Sequence, residues 1–231
     1  MTTVTRPRAV ALEGTNGAGK TYLARRAAAL AGQSCHLAAE LPDSPGLPAR
    51  VIAALRAGGD PFLRMGAPRT ETLLLAALQV HRMEGLPALP DGTVVLEDRG
   101  PLSVAVYQAV ILHPGDPAAA LAAAEQILAL IGQWRPVPHA LLLIDDFRRC
   151  QDRFTQRSGR PASAGETRLM TEVAGLYELI AARSPRGITI LDRRELDEDA
   201  CASIIARTCA TAGASPAERH ATRAAEEAAR W

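Results

Sequence analysis

Residues 14–21 read GTNGAGKT, and the spacing of Gly14, Gly19, Lys20 and Thr21 matches the pattern G-x-x-x-x-G-K-[ST], the P-loop. The flanking residues give that match its meaning. Upstream, residues 8–13 form an apolar run around Ala9-Val10-Ala11-Leu12 that suits a short buried strand. Downstream, residues 21–30 (TYLARRAAAL) are helix-prone, with apolar side chains at 23, 27 and 30. In a strand, glycine-rich loop and helix arranged this way, the glycines let the loop wrap closely and the first backbone N–H groups of the helix converge on an anion. Gly14, Thr15, Asn16, Gly17, Ala18 and Gly19 would then surround phosphates, Lys20 would neutralise the β- and γ-phosphates, and the Thr21 hydroxyl would hold Mg²⁺. ATP and Mg²⁺ are the cofactors this loop predicts.

Four further apolar runs follow, at 33–39, 93–97, 140–145 and 187–191, separated by helical spacing over 69–84, 116–134, 166–183 and 196–211. Short continuous runs alternating with helices predict an α/β fold whose parallel sheet is covered on both faces. The stretch Leu73-Leu74-Leu75-Ala76-Ala77-Leu78 is apolar all round, which predicts a buried helix. Pro and Gly cluster at 42–48, 58–68 and 158–165, where loops are expected. A single domain over 1–212 is expected, followed at 213–231 by a linker and an Ala/Glu/Arg helix. That end is either ordered by a partner, with Trp231 as its anchor, or a frayed tail.

Composition narrows the function classes. A chain of 231 residues suits one α/β core. Lys and Arg total 26 against 25 Asp and Glu, so no global field draws nucleic acid or an anionic membrane, and any phosphate recognition has to be local. Cys35, Cys150, Cys201 and Cys209 form no C-x-x-C and the five histidines no H-E-x-x-H, which points away from a zinc site or a disulfide framework and toward reduced thiols. There is neither an N-terminal apolar core nor a stretch of about 18 apolar residues, so a cytoplasmic protein is expected. Only 3% of residues are aromatic, leaving few rings to stack on a ligand.

Parallel α/β sheets bind ligands beyond the carboxyl ends of their strands. After the second run stands Glu40, and after the third Glu97-Asp98-Arg99. Asp98 is placed to hold Mg²⁺ through water, with Glu97 as the alternative carrier, and Arg99 suits a bidentate pair with an acceptor phosphate or a carboxylate. After the fourth run, Asp145-Asp146-Phe147-Arg148-Arg149 leads into Arg153, Arg157 and Arg160, broken by Gly and Pro. Residues 148–166 thus read either as a mobile lid whose arginines neutralise a transferring phosphoryl group or as a solvated helical face.

Four stretches together resemble the thymidylate kinase family of P-loop nucleoside and nucleotide kinases, over residues 8 to about 207. LEGTNGAGKTYLARRAAAL is similar to that family's EGxDGxGKTT loop and helix, and TETLLLAA at 70–77 to its third helix. EDRGPLSVAVYQA at 97–109 resembles its DRYxxSxxAYQG stretch, and LLLIDDFRRCQDRFTQRSGR at 141–160 its LDVxxxxALxRxxxR strand and lid. The resemblance implies a P-loop three-layer sandwich with sheet order 2-3-1-4-5, an ATP-dependent kinase, and a homodimer packed through helices such as 69–84. It implies that Arg99 grips an acceptor phosphate and that Ser103, Tyr107 and Gln108 line the acceptor pocket. Arg153, Arg157 and Arg160 would act from the lid, since the loop at 14–21 has no arginine.

The departures fall on base and sugar recognition. Asn16 stands where the family places Asp, Gly100 where it places Tyr, Ala76 where an aromatic stacks on the base, and Gln79-Val80 where an Asp-Arg pair follows, with Arg82 nearby out of register. Three functions are therefore open. The first is a kinase of a nucleoside monophosphate, thymidylate-like or modified. The second is a kinase of a hydroxyl, on a nucleoside or other small molecule, with Glu40 as the base, because deoxynucleoside kinases pair a similar loop with a Glu after strand two. The third is a nucleotide-binding module or slow NTPase whose tail docks a partner.

Overall fold

A computed structural model of the chain describes residues 7–40, 46–184 and 187–213. Five parallel strands, β1 (Arg8–Gly14), β2 (Cys35–Ala38), β3 (Val94–Asp98), β4 (His139–Ile144) and β5 (Ile188–Asp192), form one sheet in the order β2-β3-β1-β4-β5. This is the α/β class and the strand order expected. Val10 to Leu12, Val94 to Leu96 and Leu141 to Leu143 are buried without alternation, because helices shield both faces and every side chain leaves water.

The helices are α1 (Lys20–Ala31), α2 (Leu47–Arg56), α3 (Pro68–Glu84), α4 (Pro101–Leu112), α5 (Pro117–Gly132), α6 (Phe147–Ser158), α7 (Ala164–Arg183) and α8 (Glu198–Gly213). Helices α1 and α8 pack together against the sheet, while α4, α5 and α7 form the second layer, with α3 resting on α4 and α5. In the central three strands Leu12 lies level with Asp98 and Leu141, so the glycine loop after β1 and the acidic end of β3 reach the same rim.

One expectation is corrected. Helix α3 is not buried all round: Leu73 is 60% exposed, and the inward stripe is Glu71, Thr72, Leu75, Ala76, Gln79 and Arg82. Helical periodicity turns the polar members of that segment inward, toward the strand ends, and leaves an apolar residue outside. Residues 148–166 are largely helical. The Asp146 side chain caps α6, Cys150 and Phe154 bury its inner face, Gly159 closes it in the left-handed conformation, and a Ser163–Glu166 capping box starts α7.

Helix α4 was hidden in the sequence because it is buried throughout Pro101–Val110 and has no polar stripe to betray a 3.6-residue period. The tail reading at 214–231, Trp231 included, lies outside the described residues, as do residues 42–45 of the loop expected at 42–48. Among the described residues, no helix is long and apolar enough to cross a membrane.

Gly14 ends β1 at φ 131°, and a Cβ there would stand 2.5 Å from the carbonyl oxygen of Leu143 on β4. Gly14→Ala is expected to lower stability by about 1–3 kcal/mol, since φ is unfavourable and the neighbouring atom is backbone. The urea midpoint of the variant against the parent checks this.

Candidate functional site

The loop from Gly14 to Gly19 feeds α1 through Gly19, the N-cap, at φ 92° and ψ 16°. No side chain caps this helix, so its leading N–H groups are left for another acceptor. Lys20 folds back over the loop, its Nζ donating to the carbonyls of Gly14 (2.8 Å) and Thr15 (2.6 Å). Burial first, and then the nearby Arg99 guanidinium, push the Lys20 pKa down to about 7. Thr21, beside it, is exposed.

The pleat of β3 sends its two carboxylates to different work. Glu97 is fully buried between two arginines, bonded to Arg82 Nη2 at 2.7 Å and to Arg135 Nη2. Gln79 braces the cluster, accepting from Arg82 on its side-chain oxygen (2.6 Å) and from Arg135 on its carbonyl (3.2 Å). Asp98 has a buried Oδ1 with no hydrogen-bond partner among the described residues. Of the two candidate carriers of a metal, Glu97 is thus fully engaged by guanidinium groups, whereas Asp98 has an oxygen to offer.

Arg99 sits at φ 65°, a left-handed conformation that is rare for a long side chain. Arg82 holds it there by donating to its carbonyl at 2.8 Å. The guanidinium of Arg99 donates to Asn16 Oδ1, pairs with Glu40 (Nε to Oε1, 3.1 Å) and lies 5.2 Å from the centroid of the Tyr107 ring. The Tyr107 hydroxyl in turn accepts from the backbone N–H of Asn16 (2.9 Å), and burial raises its pKa. Asn16, Glu40, Arg99 and Tyr107 therefore make one network.

Ser103 donates to Glu13, and its oxygen lies 3.0 Å from the Tyr177 hydroxyl. Gln108 accepts from Thr72 of α3 at 3.0 Å. Glu13 also accepts from the N–H of Gly100 at 3.0 Å, and burial pushes its pKa up to about 7, against the opposing effect of the Ser103 hydrogen bond.

The three arginines of the 148–166 segment part ways. Arg153 donates to the carbonyl of Gly17 (3.0 Å) and to Asp145 (2.6 Å), so it already touches the glycine loop. Arg157 lies 5.8 Å from the Phe154 ring centroid and lines the cleft. Arg160, expected at the ATP phosphates, instead forms a fork with Glu166 (2.8 and 2.7 Å) outside the cleft. The carboxylate engaged in the α7 capping box supplies both oxygens for this planar pair, and Arg160 holds the Glu166 pKa down to about 2.

These groups surround a cavity of about 510 Å³ running from Lys20 and Thr21 past Glu40 and Arg99 to Gln108. One wall is Phe62, stacked between Tyr107 (6.1 Å between centroids) and Phe154 (5.8 Å). A larger cavity of about 970 Å³ lies at the opposite strand ends, walled by Trp134, Val137 and Ile204. It shares no residue with the glycine loop.

Sequence reasoning missed Glu13, Phe62, Asp145 and Arg193 as parts of the site. Arg193, just after β5, donates to the carbonyl of Ala18 (2.9 Å) and to Glu198 (3.0 Å), with its side chain nearly buried. The strand-end rule applied to the fifth strand as to the others would have reached it; Phe62 lies in a loop and left no periodic signal. Comparison with protein families and with curated proteins finds no match for this chain.

Glu97→Ala leaves two buried guanidinium groups without their carboxylate and is expected to lower stability by about 3–5 kcal/mol. Asp98→Asn, which alters a side chain whose buried Oδ1 has no hydrogen-bond partner among the described residues, should leave the urea midpoint near the parent's. Glu13→Gln tests the titration at the end of β1. Between its ordinary pKa of 4.5 and about 7, the folded protein keeps a Glu13 proton that the unfolded chain has lost, so parental stability falls as pH rises. The variant lacks that slope, and its stability relative to the parent should grow by on the order of 3 kcal/mol across the window and then level off. Denaturant titrations at several pH values read this directly.

Proposed function

We propose that this chain is a P-loop kinase related to the thymidylate kinase family, which moves the γ-phosphoryl group of ATP, with Mg²⁺, to a nucleoside monophosphate or similar nucleotide. The observation that carries the reading is that Lys20, folded over an uncapped glycine loop, opens onto the same cavity as Arg99. A loop of this kind suits a polyphosphate, and a buried arginine across the cavity suits the phosphate of an acceptor.

The residues present fit a magnesium nucleotide. Thr21 supplies a hydroxyl and Asp98 an unclaimed carboxylate oxygen, hard donors suited to Mg²⁺ through water; the metal would supply positive charge to offset that of the phosphates. Arg153, which reaches the loop at Gly17, and Arg157, on the cleft wall, would offset charge spread over the transferring group. Arg99, braced through its carbonyl by Arg82, would hold the acceptor phosphate in line, with Tyr107 and Gln108 bounding the acceptor. The missing family carboxylate is answered locally by Asn16, which accepts from Arg99 without opposing the acceptor's charge. The reading carries with it a cytoplasmic homodimer, for which exposed Leu73 on α3 is a candidate contact.

One observation favours a second reading, a hydroxyl acceptor on a nucleoside or other small molecule. Glu40 is half-exposed at the cavity and already pairs with Arg99. Such a carboxylate is placed to take a hydroxyl proton while Arg99 holds the oxygen.

Mg-ATP turnover across nucleoside monophosphates, the matching nucleosides and no acceptor separates these functions. Turnover with a monophosphate is expected, abolished in Lys20→Ala and lowered about 10²–10³-fold in Arg99→Ala. Turnover confined to hydroxyl acceptors, with a loss of about 10²–10⁴-fold in Glu40→Gln, would move the assignment to the second reading. Nucleotide binding without acceptor-dependent turnover would remove both and leave a nucleotide-binding or NTPase module.

A further inference from the structure

Away from the cleft, two cysteines far apart in the sequence meet at the other end of β2. Cys35 opens that strand, in register with Val94 of β3. Cys209 is one helical turn before Gly213, the end of α8. A Cβ on Gly213 would stand 3.2 Å from Val94 Cγ2 and 2.5 Å from the Gly92 carbonyl oxygen, so the last turn of α8 lies across the start of β3 beside Cys35. There the Cys209 side chain is a neighbour of Cys35. Cys35 is only partly buried, whereas Cys209 is fully buried.

The other two cysteines have different surroundings. Cys150 lies beneath the glycine loop, its sulfur 3.9 Å from the Thr15 hydroxyl, and Cys201 is buried at the start of α8 near the Leu196 carbonyl.

We propose that Cys35 and Cys209 are a redox modification site, forming a reversible disulfide that ties the edge strand β2 to the last turn of α8. The division of labour follows from their surroundings. The neighbouring Cys209 side chain, aided by the Leu96 N–H, lowers the Cys35 pKa despite partial burial, while the same contact and burial raise that of Cys209. With a hydroperoxide as oxidant, the Cys35 thiolate attacks one peroxide oxygen and the O–O bond breaks. Cys35 becomes a sulfenic acid and, for hydrogen peroxide, the second oxygen leaves as water. The Cys209 sulfur then attacks the Cys35 sulfur. The S–O bond breaks, a second water carries away the hydroxyl and the Cys209 proton, and the disulfide remains. Two thiols are oxidised and one peroxide is reduced to two waters.

The cross-link would join two elements whose far ends border the cleft. Strand β2 leads to Glu40, and the first turn of α8 carries Glu198, the partner of Arg193 on the glycine loop. The proposal holds whichever reaction the cleft performs.

The full chain is treated with hydrogen peroxide in slight excess, remaining thiols are alkylated in denaturant, and peptides are mapped without reduction. The expected result is a peptide linking Cys35 to Cys209, with two of the four thiols lost and recovered by dithiothreitol. In Cys35→Ser that peptide is absent and Cys209 stays fully alkylatable. Four thiols surviving, Cys35 stopping at a sulfinic acid with Cys209 free, or Cys35 linked only to another cysteine or another molecule would each overturn the proposal. Cys35→Ser changes the partly buried partner, and its circular dichroism and urea midpoint establish that it folds before it is compared.

Discussion

A carboxylate with no exposed surface organises the end of β3. Glu97 alone would be too costly to bury as an ion, and Arg82 and Arg135 alone would be more so; together, braced by Gln79, they satisfy one another. The value of the cluster lies in direction more than in stability. Arg82 Nη2 also donates to the carbonyl of Arg99, holding that residue in a left-handed conformation it would not adopt by itself. Everything Arg99 then does, its bond to Asn16, its pair with Glu40 and its place against Tyr107, follows from where that carbonyl is held. Gln79 therefore has a structural task in the helix. It is half of a brace that points the arginine.

Strand alternation explains why neighbouring acids take opposite roles. Glu97 turns toward α3 and becomes structural, so Asp98 turns the other way and keeps an unpartnered oxygen. Gly100 is explained at the same corner. A side chain there would meet Ala11 Cβ at 2.6 Å and Glu13 Oε1 at 2.8 Å, so a tyrosine cannot occupy this backbone without moving both. Phe62 reaches the cavity from a loop and stacks between Tyr107 and Phe154. A chain poor in aromatic residues has collected three of its rings along one wall.

The strand order and the convergence of Gly14–Thr21, Glu40, Asp98 and Arg99 were legible because short apolar runs mark buried strands and parallel sheets expose their carboxyl ends on one rim. What stayed hidden depended on partners distant in sequence. Nothing local says that Arg160 pairs with Glu166, although the Ser163–Glu166 spacing is a capping box visible to the eye. Nothing local distinguishes Glu97 from Asp98 until Arg135, 38 positions away, is seen to claim one of them. Leu73 misled for a different reason: three consecutive leucines overwhelm the period by which polar Thr72, Gln79 and Arg82 face inward.

The electrostatics of the cleft follow from the same burial. Lys20 and Glu13, flanking the glycine loop, are both driven toward neutrality, each with a pKa near 7, because neither can be hydrated there. Arg99 remains charged, sustained by Glu40 against the effect of burial. Near pH 7 the cleft thus presents Arg99, itself paired, Arg153 and Arg157 beside the loop, and a lysine whose charge is conditional. An anion settling on the N-terminus of α1 would favour the ammonium form, so the loop's charge would be completed by its ligand. A small neutral molecule would leave Lys20 bonded to the carbonyls of Gly14 and Thr15 with no such gain. Selectivity for a polyanion at this end of the cavity therefore needs no large positive field, which a chain of net charge +1 could not provide.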